Sequence, residues 1–169
     1  MSDVTHNNDP ATAKYWQALA AVLDPEVPVL SVLDLGLVRG IKLNDDVLEV
    51  ALTPTYTGCP ATKLIEDNVR EALLLAGAKS VTIKTQLSPP WTTDWMSSEG
   101  KEKLRGYGIS PPLHSSNSKS AIMGLDPDIA CPQCGSMKTK KVSEFGSTAC
   151  KALYKCESCL EPFDYFKCI

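Results

Sequence analysis

The chain has 169 residues, of which 43% are apolar, so it can bury the core of one domain, with or without a small additional module. Its formal net charge of −3 lacks the basic footprint of a nucleic-acid binder. No segment reaches the roughly 18 apolar residues of a membrane span, and the N-terminus lacks the basic start and apolar run of a secretory signal. With seven cysteines, these features predict a reducing cytoplasm, where thiolates bind metal or react.

The first predicted element is an amphipathic helix over residues 10–23. Asp9 can cap it and Pro10 suits its first turn. Apolar residues then recur at helical spacing as far as Leu23, after which two prolines forbid continuation.

An acidic loop follows this helix. Asp24 and Glu26 are held in a stiff turn by Pro25 and Pro28. The two carboxylates either bind a cation or cap the element that begins near residue 29. Asp34, inside an apolar run, is interpreted as a cap or turn residue.

Three strands are predicted around a long helix. Residues 38–43 and 47–53 read as a hairpin with its turn at 44–46, and residues 80–87 read as a third strand. The helix begins at Pro60 and ends at Gly77. Its predicted inward stripe comprises Leu64, Ile65, Val69, Ala72, Leu73 and Ala76. Together these elements predict a domain that combines helices with strands.

Cys59 lies where this helix is predicted to start. A helix N-terminus presents unpaired amide donors and a partial positive charge, which stabilise a thiolate and raise its reactivity. Gly58 permits a positive φ angle or a close backbone approach, and Thr57 adds a hydroxyl donor. The alternative is a small buried cysteine that fills space.

The C-terminal half contains an aromatic segment, a linker and a cysteine-rich module. Trp91 and Trp95 form either a partner-binding surface or a lid packed on the sheet, and a short helix follows near residues 97–105. The predicted domain organisation is a first domain over residues 1–107, a Ser/Pro-rich linker over 108–128 and a ribbon over 129–169.

The strongest motif is a pair of C-x-x-C knuckles separated by 21 residues, close to the spacing of four-cysteine zinc sites. Four thiolates at tetrahedral corners suit zinc with Zn–S bonds of about 2.3 Å. The predicted metal ligands are Cys131, Cys134, Cys156 and Cys159. Cys150 and Cys168 pair with no other cysteine, and residues 121–169 carry six lysines against six acidic residues, which argues against nucleic-acid binding.

Three segments together resemble a known family. Asp24–Glu26, Asp34–Leu37 and Thr57–Pro60 resemble the SufT-like domain of iron–sulfur cluster assembly and metal-centre maturation factors. Residues 90–96, followed by the ribbon at 131–169, look like the PaaD branch of that family. The resemblance covers nearly the whole chain. It implies an α+β fold, in which a small domain with helices packed on a three-stranded mixed sheet precedes a four-cysteine zinc-ribbon module.

The resemblance implies a role beside an oxygenase. PaaD-like proteins accompany the multicomponent phenylacetyl-CoA 1,2-epoxidase of aerobic phenylacetate catabolism, which has a di-iron oxygenase subunit and a flavin and [2Fe–2S] reductase. The implied function is an accessory or maturation protein for one of these subunits, with Cys59 as the reactive thiol beside Thr57, and Asp24 and Glu26 as the acidic loop. Cys59 would then hold iron or an iron–sulfur cluster transiently. SufT-like domains often dimerise, which implies a homodimer.

Two other functions remain open. The chain could be a purely structural subunit of the epoxidase, or a rubredoxin-like electron carrier, because thiolates do not by themselves choose between zinc and iron. Neither histidine has a glutamate three residues before it, and there is no G-x-G-x-x-G fingerprint. We therefore expect the epoxidation chemistry to lie in another protein, no catalytic activity here, and one structural zinc in the ribbon.

Overall fold

The computed structural model describes residues 10–56, 58–113 and 128–167, which form two compact units. The first unit comprises Met1–Trp91 with Trp95–Ser97, and the second comprises Thr92–Asp94 with Ser98–Ile169. Within the described ranges no helix is long and apolar enough to cross a membrane.

The first unit is an α+β structure with a three-stranded mixed sheet, as predicted. β1 and β2 form an antiparallel hairpin, and β3 lies parallel to β2 on its other side. The hairpin turns through Asp45, whose φ of 51° is left-handed. The elements are α1 (Pro10–Leu19), β1 (Val38–Asn44), β2 (Val47–Leu52), α2 (Thr62–Leu75) and β3 (Ser80–Thr85).

The core of the first unit follows the two periodicities of its elements. Alternate residues of β2 are buried, namely Leu48, Val50 and Leu52. α2 buries Ile65, Val69 and Leu73, while Leu64, predicted to face inward, is half exposed at 50%. The predicted stripe was therefore wrong at its N-terminal end, because the helix begins at Thr62 and its first turn points Leu64 outward.

α1 ends four residues earlier than predicted. The apolar periodicity runs to Leu23, but after Leu19 the chain leaves the helix and Leu23 forms a β-bridge with Ser31. The amide of Asp24 donates to the carbonyl of Leu30 at 2.8 Å, which continues this pairing. A β-bridge across the loop that follows, which helical periodicity does not signal, thus replaced the last turn of the predicted helix.

Gly36 is required by its backbone and by its neighbour. Its φ is +67°, and an added Cβ would clash with the backbone carbonyl of Trp95. We expect Gly36→Ala to lower the free energy of unfolding by about 3 kcal/mol, from left-handed strain and overpacking together. Gly40→Ala is the matched control, because nothing lies within 4 Å of its Cβ. Equal urea midpoints for the two variants would contradict this reading of Gly36.

The second unit is built on a four-stranded sheet in the order β4-β7-β6-β5. β5, β6 and β7 pair as antiparallel neighbours and lie within the range predicted for the ribbon. β4 pairs in parallel with β7, and it lies in residues whose Ser/Pro-rich composition predicts a linker. The elements are α3 (Ser98–Gly106), β4 (Ile109–Ser110), β5 (Thr139–Ser143), β6 (Lys151–Cys156) and β7 (Pro162–Phe166).

Aromatic side chains form the core of this second unit. Tyr154 stacks on Phe163 with ring centroids 5.9 Å apart and meets Tyr165 edge-on at 5.7 Å. Ile129 and two of the metal-ligand candidates, Cys131 and Cys156, belong to the same buried cluster. The cluster is small, so a metal bound beside it would add a large share of the stability of the unit.

Candidate metal centre and thiol site

The four predicted ligand cysteines converge on one point. Their sulfur atoms all lie within 4.8 Å of one another. The Sγ atoms of Cys131 and Cys159 are 3.7 Å apart, and those of Cys134 and Cys156 are 3.6 Å apart. Tetrahedral ligands at about 2.3 Å from zinc would be about 3.8 Å apart. The four sulfurs therefore fit a metal ion, and the spacing matches zinc or another tetrahedral thiolate metal.

Each knuckle is a tight turn that is closed by backbone hydrogen bonds. In the first, the amide of Cys131 donates to the carbonyl of Ser136 at 2.9 Å. In the second, the amide of Cys156 donates to the carbonyl of Glu161 at 3.0 Å. Gly135 has a φ of +73° and Leu160 takes the equivalent left-handed conformation with a φ of +68°. The turn geometry therefore recurs in both knuckles although only the first has a glycine.

Contacts between the knuckles fix their separation. The hydroxyl groups of Ser136 and Ser158 hydrogen-bond at 2.8 Å, and the amide of Glu157 donates to the carbonyl of Lys138 at 2.8 Å. The pairing of β5 with β6 begins at the register Thr139–Cys156. The protein scaffold thus brings the two C-x-x-C turns face to face.

The pKa values of the two thiols in the second knuckle are shifted in opposite directions. The backbone N–H of Cys159, followed by that of Ser158, donates to the Cys156 sulfur and lowers the pKa of Cys156 to about 6. At Cys159 the hydrogen bond from the Glu161 backbone acts to lower the pKa, yet desolvation and the neighbouring sulfurs together raise the pKa of Cys159 to about 12. A bound cation would stabilise both sulfurs as thiolates, because metal-ligating thiols are deprotonated.

The ligand cysteines differ in exposure. Cys131 and Cys156 are 2% and 0% exposed, whereas Cys134 and Cys159 are exposed to solvent. One side of the site is therefore anchored in the aromatic core and the other opens to solvent, which provides a path for metal entry. Cys150 is buried near Thr148 and is not part of the cluster, and Cys168 lies outside the described residues.

Cys59 lies in the loop before α2 rather than at its first residue. The helix begins at Thr62, so the predicted start at Pro60 was wrong by two residues. The amide of Thr62 donates to the carbonyl of Cys59 at 3.2 Å, forming a turn that precedes the helix. Gly58 has the predicted positive φ, at +89°, and Cys59 is half-buried. Thr57 lies outside the described residues.

The acidic loop has a local structural task. Asp24 is buried, and its Oδ1 accepts the amides of Glu26 and Val27, each at 2.8 Å. Glu26 is half-buried. The structure therefore favours the capping alternative for one oxygen of Asp24, while a further role of the two carboxylates stays a prediction.

Asp34 and the aromatic segment are joined in a polar network. Asp34 accepts the hydroxyl groups of Ser31 at 2.8 Å and Ser97 at 3.0 Å, which matches its interpretation as a turn residue. Trp91 is buried and its indole N–H donates to the carbonyl of Leu35 at 2.8 Å. This supports the packed-lid alternative for Trp91.

Sequence reasoning missed two partners of this region. Ser97 donates both its amide and its hydroxyl to Asp34, and the guanidinium of Arg39 stacks 3.6 Å from the centroid of the Trp95 ring. Neither contact has a local signal in the sequence. Ser97 and Asp34 are 63 positions apart, and Arg39 and Trp95 also lie on distant segments. Leu160 was missed as well, although the register with Gly135 in the repeated C-x-x-C motif would have identified its position.

Comparison with known proteins matches both parts of the chain. Residues 13–85 match the family described as iron–sulfur cluster assembly protein, and residues 115–167 match the PaaD zinc beta ribbon domain. A protein of Escherichia coli strain K12, assigned as one of the subunits of 1,2-phenylacetyl-CoA epoxidase, is 49% identical over 95% of this chain and 94% of its own length.

Two further relatives cover the N-terminal part. The Fe-S protein maturation auxiliary factor YitW of Bacillus subtilis is 38% identical over 52% of this chain and 86% of its own length. A crystal structure of a DUF59 domain of unknown function from Bacillus anthracis is similar with a TM-score of 0.50 and 28% identity, covering 54% of this chain and 88% of that one.

Proposed function

The chain belongs to the PaaD family of phenylacetyl-CoA epoxidase subunits, and from this membership we propose that it is an accessory protein that assists metal-centre assembly. Its client is the oxygenase or the reductase subunit of the epoxidase in aerobic phenylacetate degradation. It acts in the cytoplasm and has no catalytic activity of its own.

The observation that carries the proposal is the combination of two sites in one chain. Residues 13–85 match an iron–sulfur assembly family and contain Cys59, a half-buried thiol in a loop held by Gly58. The second unit contains a separate four-sulfur centre, and Cys59 is not one of its ligands. The proposal gives the two sites different tasks: the metal site supports folding, and the accessible thiol exchanges the cargo.

In this proposal Cys59 is the group that contacts the cargo. Its thiolate ligates iron or a cluster in transit, or contacts a cysteine of the client. The cargo is a substrate that leaves with the client, so the loop has to release it. A half-buried sulfur suits this because it is sheltered from solvent yet reachable by a partner. Thr57 and Glu26 are proposed to flank the cargo.

In the ribbon we propose one structural zinc per chain. The sulfur separations of 3.6 and 3.7 Å support a tetrahedral thiolate site. Zinc is favoured over iron because the proposed function needs no redox step in this unit. Visible absorption of fresh protein distinguishes the two, since a coloured iron site would support the rubredoxin-like carrier instead.

A second candidate function is a purely structural subunit of the epoxidase. The 49% identity with a protein assigned as an epoxidase subunit favours it, because that name describes a component of the complex. Co-purification with the oxygenase in a fixed ratio would support this function. Loss of epoxidase iron in cells that carry Cys59→Ser would support assembly. A homodimer of this chain fits either function.

Asp24→Asn separates the charge of the acidic loop from its capping role. Asparagine keeps an oxygen that can accept the amides of Glu26 and Val27, so we expect the free energy of unfolding to change by less than about 1 kcal/mol. If the negative charge serves the cargo, maturation of the epoxidase falls in the same variant. Unchanged epoxidase activity in cells would mean that Asp24 serves only to cap the turn. Urea unfolding of the purified variant is the accompanying control.

A further inference from the structure

A groove of about 500 Å³ lies within the second unit, beside the first cysteine knuckle. One wall is a single face of α3, with residues spaced as i, i+3, i+4 and i+7. The other wall is formed by residues 111–113 and 130–132. We call this feature the α3 groove. The α3 residues that line it are Ser98, Lys101, Glu102 and Arg105.

The wall opposite α3 is largely apolar and rich in proline. Pro111, Pro112 and Pro132 line it, together with Leu113. Proline has no backbone N–H, so this wall cannot recruit an added β-strand through a hydrogen-bond ladder. It can contact apolar side chains of an extended segment through its rings. Its volume lies within the range of ordinary ligand sites.

The basic side chains of α3 differ in whether they are already paired. Lys103 pairs with Glu99 at 2.9 Å, and Arg105 pairs with Glu102. Lys101 is half-buried and makes no ion pair or hydrogen bond among the residues that the structure describes. The lining thus has two basic side chains against one acidic side chain, Glu102, which already pairs with Arg105.

From this charge and this wall we propose that the α3 groove binds an extended acidic segment of a partner protein. A carboxylate of the segment pairs with Lys101, and apolar side chains beside that carboxylate rest on the half-buried Pro111, Leu113 and Pro132. The segment also touches the first knuckle at Gly135, which is exposed and lines the same groove. Docking therefore requires the metal-supported fold of the ribbon.

The inference deepens the proposed function by assigning the ribbon its partner chemistry, and it rests on that function only in naming the partner as an epoxidase subunit. Peptide binding at the α3 groove does not involve Cys59, which belongs to the other unit. The peptide titration and the assembly assay therefore give independent results, and either can be positive while the other is negative. The two claims can fail separately.

The test is a titration of the full-length, metal-loaded chain with a short fluorescein-labelled peptide of alternating leucine and glutamate. We expect saturable binding by fluorescence anisotropy, with amide NMR shifts at Leu113, Ala130 and Gly135. Lys101→Gln should weaken binding about fivefold, because that factor corresponds to the free energy of one partly exposed ion pair. Lys103→Gln is the matched control, because it removes the same charge from the same helix outside the groove lining.

Four results would overturn the inference. The first is an absence of saturable binding, and the second is equal binding of a peptide in which glutamine replaces glutamate. The third is equal weakening by Lys101→Gln and Lys103→Gln. The fourth is displacement of the labelled peptide by single-stranded oligothymidylate at a lower concentration than the unlabelled acidic peptide needs. The last result would mean that the groove prefers a phosphate backbone to a carboxylate. Retained metal content in both variants confirms that the comparison is made on folded protein.

Discussion

Cys156→Ser should release the ribbon metal and unfold the second unit while the first unit stays folded. Cys156 is 0% exposed, begins the second knuckle and belongs to the aromatic core. A structural four-thiolate zinc contributes on the order of 10 kcal/mol to folding, and a small core cannot replace that contribution. The expected result is the loss of one metal ion per chain and of the near-ultraviolet signal of Tyr154 and its aromatic neighbours.

Cys150→Ser is the control for this variant. Cys150 is 5% exposed and lies in the same unit, but it is not part of the four-sulfur cluster. The variant should therefore keep the metal and lose only about 1 kcal/mol of stability, because a buried sulfur is replaced by a hydroxyl that lies beside the hydroxyl of Thr148. Metal retained by Cys156→Ser, or lost equally from both variants, would contradict the assigned ligand set.

The second large effect is expected from Cys59→Ser, and it is functional rather than structural. Cys59 is half-buried in a loop, so exchange of its sulfur for oxygen should leave the unfolding midpoint and the ribbon metal unchanged. A serine hydroxyl is a poor ligand for iron, because it does not ionise at neutral pH as a thiol can. Growth on phenylacetate should fall to the level of cells that lack the chain.

Cys150→Ser again supplies the comparison, since it removes a thiol that the proposal does not use. Full growth with Cys59→Ser would exclude a cargo role for this thiol and leave the structural-subunit function. Loss of growth with both cysteine variants would indicate general loss of the protein, which immunoblotting of the cell extracts detects.

The strands and the metal ligands could be predicted from the sequence because their signals are local. The β1–β2 hairpin has alternating apolar residues and an Asn-Asp-Asp turn at residues 44–46, and the knuckles have short fixed spacing. The resemblance of the 24–26, 34–37 and 57–60 segments to a known family supplied the fold of the first unit, and the matches of both parts of the chain confirmed it.

The features that could not be predicted depend on distant partners. α1 stops at Leu19 because Leu23 pairs with Ser31, and β4 forms because Ile109 and Ser110 lie beside β7. The buried carboxylate of Asp34 is satisfied in part by Ser97, far along the chain. No residue pattern within one element contains this information, since each contact depends on how separate elements pack.

For Cys59, too, one feature could be predicted from local sequence and another could not. The sequence identified Cys59 from Gly58 and the helix that follows, and the structure confirms the positive φ of Gly58. The position of the thiol relative to α2 was wrong by two residues, because a turn closed by Thr62 precedes the helix. Local pattern thus located the residue, while its exact place in the turn depended on backbone hydrogen bonding.

The most direct test of the assembly role is the iron content of the oxygenase and reductase subunits isolated from cells. Cells should carry either the natural chain or Cys59→Ser at equal abundance, with acid-labile sulfide measured on the same samples. The proposal predicts that one of the two subunits is depleted of iron in the variant cells while its protein level is unchanged. Full iron and sulfide in both subunits would contradict it.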